Sequence, residues 1–246
     1  MANWNDPQPR SGFGASPSLD GRAAGRASYD MGLRRHMLSI YNYMASGVLL
    51  SGIVALLFAN SGMAAQMIYS PLKWLVMLAP LGFVFAISGG ANRFQESTLK
   101  MLYWGFCVVM GLSLSTIFLV FTQASIATTF FATAAAFAGL SLYGYTTKKD
   151  LSGFGTFLIM GVVGILVAML INLFVQSTVL QLVVSILGVL IFAGLTAYDT
   201  QMLKNQYYHL RGTEFVGKAV VLGALSLYLD FINMFQFLLS FLGQRN

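Results

Sequence analysis

The sequence predicts an all-α polytopic membrane protein built from seven transmembrane helices. Three observations carry that prediction. Hydrophobic residues make up 57% of the 246-residue chain and Asp, Glu, Lys and Arg only 9%, where a water-soluble domain carries about 25% charged residues. The mean hydropathy is +0.72. Apolar runs of about 20 residues alternate with short polar breaks, and a helix of that length crosses roughly 30 Å of hydrocarbon. The length would also accommodate one or two soluble domains, but one membrane domain over residues 37–246 is the simpler organisation.

Ahead of it, residues 1–36, "MANWNDPQPRSGFGASPSLDGRAAGRASYDMGLRRH", are rich in Gly, Ser, Pro, Asn and Arg and have no apolar periodicity. They read as a disordered cytoplasmic tail. The segment has no apolar centre of the kind a cleaved signal peptide needs, so insertion by the first, uncleaved helix is expected. The seven runs follow at 38–59, 71–89, 101–121, 126–145, 154–175, 179–198 and 219–242. Pro71 suits the first turn of the second helix, whereas Pro80 in its middle predicts a kink. The fourth run contains "ATTFFATAAAFAGL", whose small residues let helices approach closely where packing replaces the hydrophobic effect. Cys107 stands alone in an apolar run; it cannot form an intramolecular disulfide and reads as a small buried filler.

The charges orient the bundle. With the amino terminus inside, the inner segments hold Arg10, Arg22, Arg26, Arg34 and Arg35, then Arg93 and Lys100, then Lys148 and Lys149, then Lys204, Arg211 and Lys218. The outer segments hold Lys73 and Arg245. This asymmetry predicts a cytoplasmic amino terminus and an external carboxyl terminus. It also accounts for the net charge of +6 by topology, without a nucleic-acid partner. A bacterial inner membrane fits this pattern, as would an organellar one.

Of the eight acidic residues, Asp6, Asp20 and Asp30 fall in the tail and Glu96, Asp150 and Glu214 in loops, which leaves Asp199 and Asp230 for the membrane. An ionisable group at bilayer depth costs several kcal/mol unless it faces a polar interior or gives up its charge, so it reads as functional by default. Asp199 has an alternative, since Lys204 follows five residues later and the pair could sit at a helix end in the interface. Asp230 lies about 16 Å into its run, near mid-membrane. Around it Ser226, Asn233, Gln236 and Ser240 recur at spacings of three and four and line one face of the seventh helix, while Leu227, Phe231, Met234 and Leu238 cover another. Such a stripe belongs inside the bundle, either lining an ion pathway or hydrogen-bonding neighbouring helices.

Consecutive helices are usually neighbours, and depth estimates separate the two aspartates by about 8 Å along the membrane normal. If they meet, two carboxylates a few Å apart cannot both ionise cheaply and would share a proton. Such a pair is a proton-sensitive latch, and its ionised form is a hard oxygen site suited to transient Ca²⁺.

No enzyme site and no cofactor site emerge: there is no His/Glu metal-ligand helix, no nucleophile with a recognisable base and no Gly-rich phosphate loop. His36 and His209 are expected to be solvated near the basic surface. An intramembrane aspartyl protease would also use two aspartates, but it needs a Gly-Asp context, and Tyr198 and Leu229 precede them here. In "KKDLSGF", Lys148 and Lys149 anchor a turn and Asp150 or Ser152 caps the fifth helix.

The stretches "TTKKDLSGFGTFL", "AYDTQMLK" and "ALSLYLDFINMFQFLL", together with seven helices and a hydrophilic amino-terminal tail, resemble the Bax inhibitor-1 family, or transmembrane Bax-inhibitor-motif proteins, over residues 35–243. The resemblance implies a central seventh helix surrounded by the other six. It implies a pH-sensitive calcium leak in which Asp199 and Asp230 form the gating pair, and a basic residue after the second helix, here Arg93, able to latch the first aspartate. The lipid bilayer, Ca²⁺ and protons are then the partners. Two alternatives stay open: a regulatory protein that offers its tail to a membrane AAA protease or another membrane partner, and a Ca²⁺/H⁺ exchanger using the same carboxyl pair.

Overall fold

The computed structural model describes residues 19–246, with side chains described from Met31. Residues 1–18 of the expected tail lie outside the described residues. Helix α1 is Leu19–Asn60, and its membrane-spanning part is Met31–Asn60. A short α2 (Met63–Tyr69) leads into α3 (Leu72–Gly90). The short α5 (Ile117–Val120) extends α4 (Glu96–Leu114), and α6 (Gln123–Thr146), α7 (Ser152–Val175), α8 (Thr178–Leu210) and α9 (Phe215–Leu242) follow. Among the described residues seven helices are long and apolar enough to cross a membrane, which makes the chain an all-α polytopic membrane protein.

Local chemistry sets the ends of these helices. The Thr122 hydroxyl accepts from the Ser125 N–H at 3.3 Å to cap α6, and Ser177 does the same for Leu180 at 3.2 Å to cap α8. Gln176 takes a left-handed conformation (φ 51°) that ends α7, and the Asn172 side chain accepts from the Ser177 N–H at 2.9 Å across the same turn. At the other end of α7 the Asp150 carboxylate accepts from the Ser152 N–H at 2.9 Å. Its hydrogen bonds with Ser152, side chain foremost, hold the Asp150 carboxyl below its ordinary value. Pro71 precedes α3, and Pro80 lies buried in its interior.

The helix ends match the apolar runs to within about five residues, with two large differences: α1 begins at Leu19, nineteen residues before its run and inside the expected disordered tail, so that 19–36 are helical, and α8 runs on past its own. α8 continues to Leu210, twelve residues past the apolar run that ends at 198. A hydropathy pattern registers the slab, not the helix; "TQMLKN" is polar enough to leave the slab and still helical enough to prolong α8.

α9 is the most buried span, 61% of its most apolar window lying inside the bundle against 11–33% for the others. It packs principally on α8, α1, α6 and α4, while α3 makes its main contacts with α4 and α7 makes its own with α8. Tyr228, Leu227, Met234 and Leu239 of α9 are almost fully buried. In contrast, α7 leaves Phe157, Met160, Leu170 and Phe174 exposed, an apolar surface suited to lipid. Glycine permits two of the close approaches made by α8. A Cβ on Gly144 of α6 would collide with the Ala197 carbonyl, and one on Gly188 would enter the Phe237 ring of α9.

The end of the bundle carrying the α3–α4, α6–α7 and α8–α9 turns also carries Arg34, Arg93, Lys148, Lys149, Arg211 and Lys218; we call it the basic end.

Candidate functional site

α8 and α9 run antiparallel through a short turn in which Gly212 takes a positive φ of 81°. On their shared seam Asp199 is 8% exposed and Asp230 4% exposed. The two carboxyl groups lie within hydrogen-bonding reach of each other. Two carboxylates are acceptors only, so a hydrogen bond between them requires a proton on one. The Ser226 hydroxyl, one turn before Asp230, donates to Asp199 Oδ2. Asp230 Oδ2 is buried with no hydrogen-bond partner.

Asp199 is neither at a helix end nor paired with Lys204. α8 continues eleven residues beyond it, so Asp199 sits within a helix and not at its end. Lys204 is engaged elsewhere: its Nζ donates to the Tyr145 carbonyl at 2.7 Å and lies 5.4 Å from the Tyr145 ring centre, satisfying an acceptor in the last turn of α6. Nor does the structure bring Arg93 to Asp199. Arg93 is exposed in the α3–α4 turn, and among the described residues it forms no ion pair with Asp199. α3 packs mainly on α4, whereas Asp199 faces α9 from α8.

The polar stripe of α9 divides. Ser226 and Asp230 face Asp199, while Asn233, Gln236 and Ser240 line a cavity of about 570 Å³ between α7, α8 and α9, toward the end opposite the basic one. Asn172, Gln176, Gln181 and Ser185 line the same cavity. Its polar groups are uncharged and partly paired: Ser185 donates to Ser240 at 3.1 Å, Gln181 reaches Ser240 at 3.5 Å, and Asn233 Nδ2 donates to the Leu229 carbonyl at 2.8 Å.

An aromatic pair stands on the seam between cavity and carboxyls. Phe192 precedes Asp199 by seven residues and Phe237 follows Asp230 by seven. Two turns of helix return to nearly the same face, so each ring sits above its aspartate. The rings stack with centres 5.9 Å apart at 25°, and both border the cavity.

Several groups around the site have weak signals in the sequence. Tyr41 Oη, Ser141 Oγ and Thr200 Oγ1 form a hydroxyl chain with steps of 2.6 and 2.8 Å across α1, α6 and α8, ending beside Asp199. Thr200 follows Asp199 directly, but nothing local points to Tyr41. Ser51 donates to the Cys107 carbonyl at 2.7 Å and bonds Tyr228 Oη at 2.7 Å; Cys107 itself is buried and free. The expectation for His36 needs correction. It is 6% exposed rather than solvated, it packs on the Tyr207 ring at 5.1 Å, and its Nδ1 has no partner. The cause is the extension of α8, which carries Tyr207 out beside α1. His209 is exposed.

Among the described residues no group of three or more His, Cys, Asp or Glu comes together. Two carboxyls alone fall short of the six to eight oxygens of a resident Ca²⁺ site.

Comparison with known proteins follows the same residues. An uncharacterised protein of Caulobacter vibrioides is 45% identical over 229 residues, covering 88% of this chain and 91% of that one. Inner membrane protein YbhL of Escherichia coli strain K12 is 43% identical over 218 residues, covering 87% and 93%. An uncharacterised membrane protein of Streptococcus pyogenes is 34% identical over 221 residues, covering 88% and 96%. The family model described as "Inhibitor of apoptosis-promoting Bax1" matches residues 33–246, a stretch that takes in six spans whole, all but the first two residues of the other, and both buried aspartates. The chain belongs to the Bax inhibitor-1 family.

Proposed function

We propose that this protein is a pH-sensitive calcium leak channel gated by the Asp199–Asp230 pair. The observation that carries the reading is the contact of two buried carboxyls on one helix seam. With a shared proton the pair joins α8 to α9. When that proton leaves, two like charges face each other where screening is weak, and their repulsion favours parting the helices or admitting a divalent cation. Raising the pH therefore works against the closed seam. The neutral cavity supplies a wet approach from one side, and the aromatic pair and the carboxyls supply the barrier.

In this reading the basic end and amino terminus are cytoplasmic, as the distribution of Lys and Arg favours. The membrane is a bacterial inner membrane, the location that the name of the E. coli relative states for that protein.

The test is Ca²⁺ entry into proteoliposomes between pH 6 and 8 for wild type, Asp199→Asn and Asp230→Asn. We expect wild-type flux to rise with pH and each variant to lose most of that dependence. Full pH response in Asp230→Asn would overturn the gating role. Flux strictly coupled to counter-transport of protons would make the protein an exchanger. No flux in any sample would move the function to partner binding through residues 1–36.

A further inference from the structure

A lateral groove at the basic end lies between α1 and α6 and has a volume of about 610 Å³. Its walls are apolar, with Met37, Phe137 and Ala138 within and Leu38 and Leu142 as exposed lips, 49% and 63% accessible. These lips fall inside the two spans Met31–Asn60 and Gln123–Thr146, so the groove opens to hydrocarbon and not to water. Tyr41 and Ser141 also line it, but their hydroxyls bond each other at 2.6 Å and continue to Thr200. The inner wall therefore offers a chain no open hydrogen-bonding demand.

The mouth differs. Arg34 and Tyr145 border it at the basic end, one at the start of its span and the other at the close of α6. Arg34 is exposed and, among the described residues, has no carboxylate partner. Lys204 adds a second positive charge behind Tyr145. From Arg34 to Tyr41 the groove descends two helical turns, about 10 Å.

An apolar slot two turns deep under an exposed guanidinium fits an acyl chain carrying a phosphate. We propose that the α1–α6 groove binds an anionic phospholipid, with one chain between Phe137 and Met37 and the phosphate on Arg34. A guanidinium holds phosphate oxygens through paired N–H donors, and basic pockets between spans select anionic headgroups. The proposal is independent of ion permeation.

It is tested by intact-protein mass spectrometry of the full chain released from membranes holding equal phosphatidylglycerol and phosphatidylcholine with identical acyl chains. Wild type should retain phosphatidylglycerol preferentially. Arg34→Ala should lower that retention about fivefold, and Ala138→Trp, which fills the slot, should remove it. Lys73→Ala, whose charge lies over Trp74 outside the groove, should behave as wild type. Because Ala138→Trp also tests packing, Ala138→Leu is run beside it and should give partial loss. Equal retention of the two lipids, no retained lipid, or phosphatidylglycerol retained unchanged in Arg34→Ala would each overturn the proposal. Loss in Arg34→Ala with none in either Ala138 variant would place the lipid on a surface charge patch and overturn the groove.

Discussion

Two stretches of the same α8–α9 seam meet the membrane interior in opposite ways. Toward the end opposite the basic one, amides and hydroxyls line an open cavity in which every polar group is neutral. Two turns nearer the basic end, two carboxyls are packed against each other out of solvent. The difference shows what each chemistry tolerates. An amide in a membrane bundle can look into a wet space or turn back on its own helix, as Asn233 does, at modest cost. A carboxyl has no cheap option except a proton or a counter-ion, so it is held where the surroundings decide which it has. Phe192 and Phe237 mark the boundary between these regimes.

Removing that boundary should produce the largest effect. The double variant Phe192→Ala, Phe237→Ala joins cavity and carboxyls. Each truncation is expected to cost about 3 kcal/mol, visible as a lower unfolding temperature in detergent. If the channel reading holds, basal Ca²⁺ flux rises on the order of tenfold and a cysteine placed at Ser226 becomes reactive to a polar thiol reagent added from the cavity side. Unchanged labelling would show that the rings do not separate the two regions.

Ser226→Ala tests the sealed region alone. It removes the donor to Asp199 while leaving both carboxyls, and is expected to cost about 1–2 kcal/mol. The pH dependence sharpens it. A contact that needs a shared proton is strengthened where the native state binds more protons than the unfolded chain, so wild-type stability should fall as the proton is lost with rising pH. The midpoint of that fall should move in Ser226→Ala, and the fall should shrink in Asp199→Asn, which leaves Asp230 buried.

In the open region, Gln236→Ala should change stability by about 0.6 kcal/mol or less and leave the pH profile in place. Arg93→Ala should have the smallest effect, with no change in pH response, because Arg93 does not reach Asp199. A shifted profile in Arg93→Ala would bring the latch back.

Much of this architecture is legible in the sequence because the bilayer imposes its own ruler. Seven runs of the required length can be counted, and charge is so rare within them that Asp199 and Asp230 single themselves out. What hydropathy misses is whatever happens beyond the slab. The final turns of α8 are polar and read as a loop, so the burial of His36 under Tyr207 was out of reach. The cavity escaped for a related reason: Asn172, Gln176 and Gln181 cluster around the α7–α8 turn, where polar residues ordinarily mean exposure to water. Spacing put Ser226 and Ser240 on one stripe, but only the approach of α7 decides that Ser240 joins a cavity and Ser226 a carboxyl.

The bare oxygen of Asp230 carries a further consequence. A carboxyl with one oxygen that accepts nothing from the protein gives, when its other oxygen carries the proton, a carbonyl vibration shifted toward the high-frequency end of its band. Infrared difference spectra recorded across a pH step should isolate that one oscillator from every other acid in the chain. The residue that would time the opening of the seam thus supplies its own optical clock, readable without a dye, an added label or a transported ion.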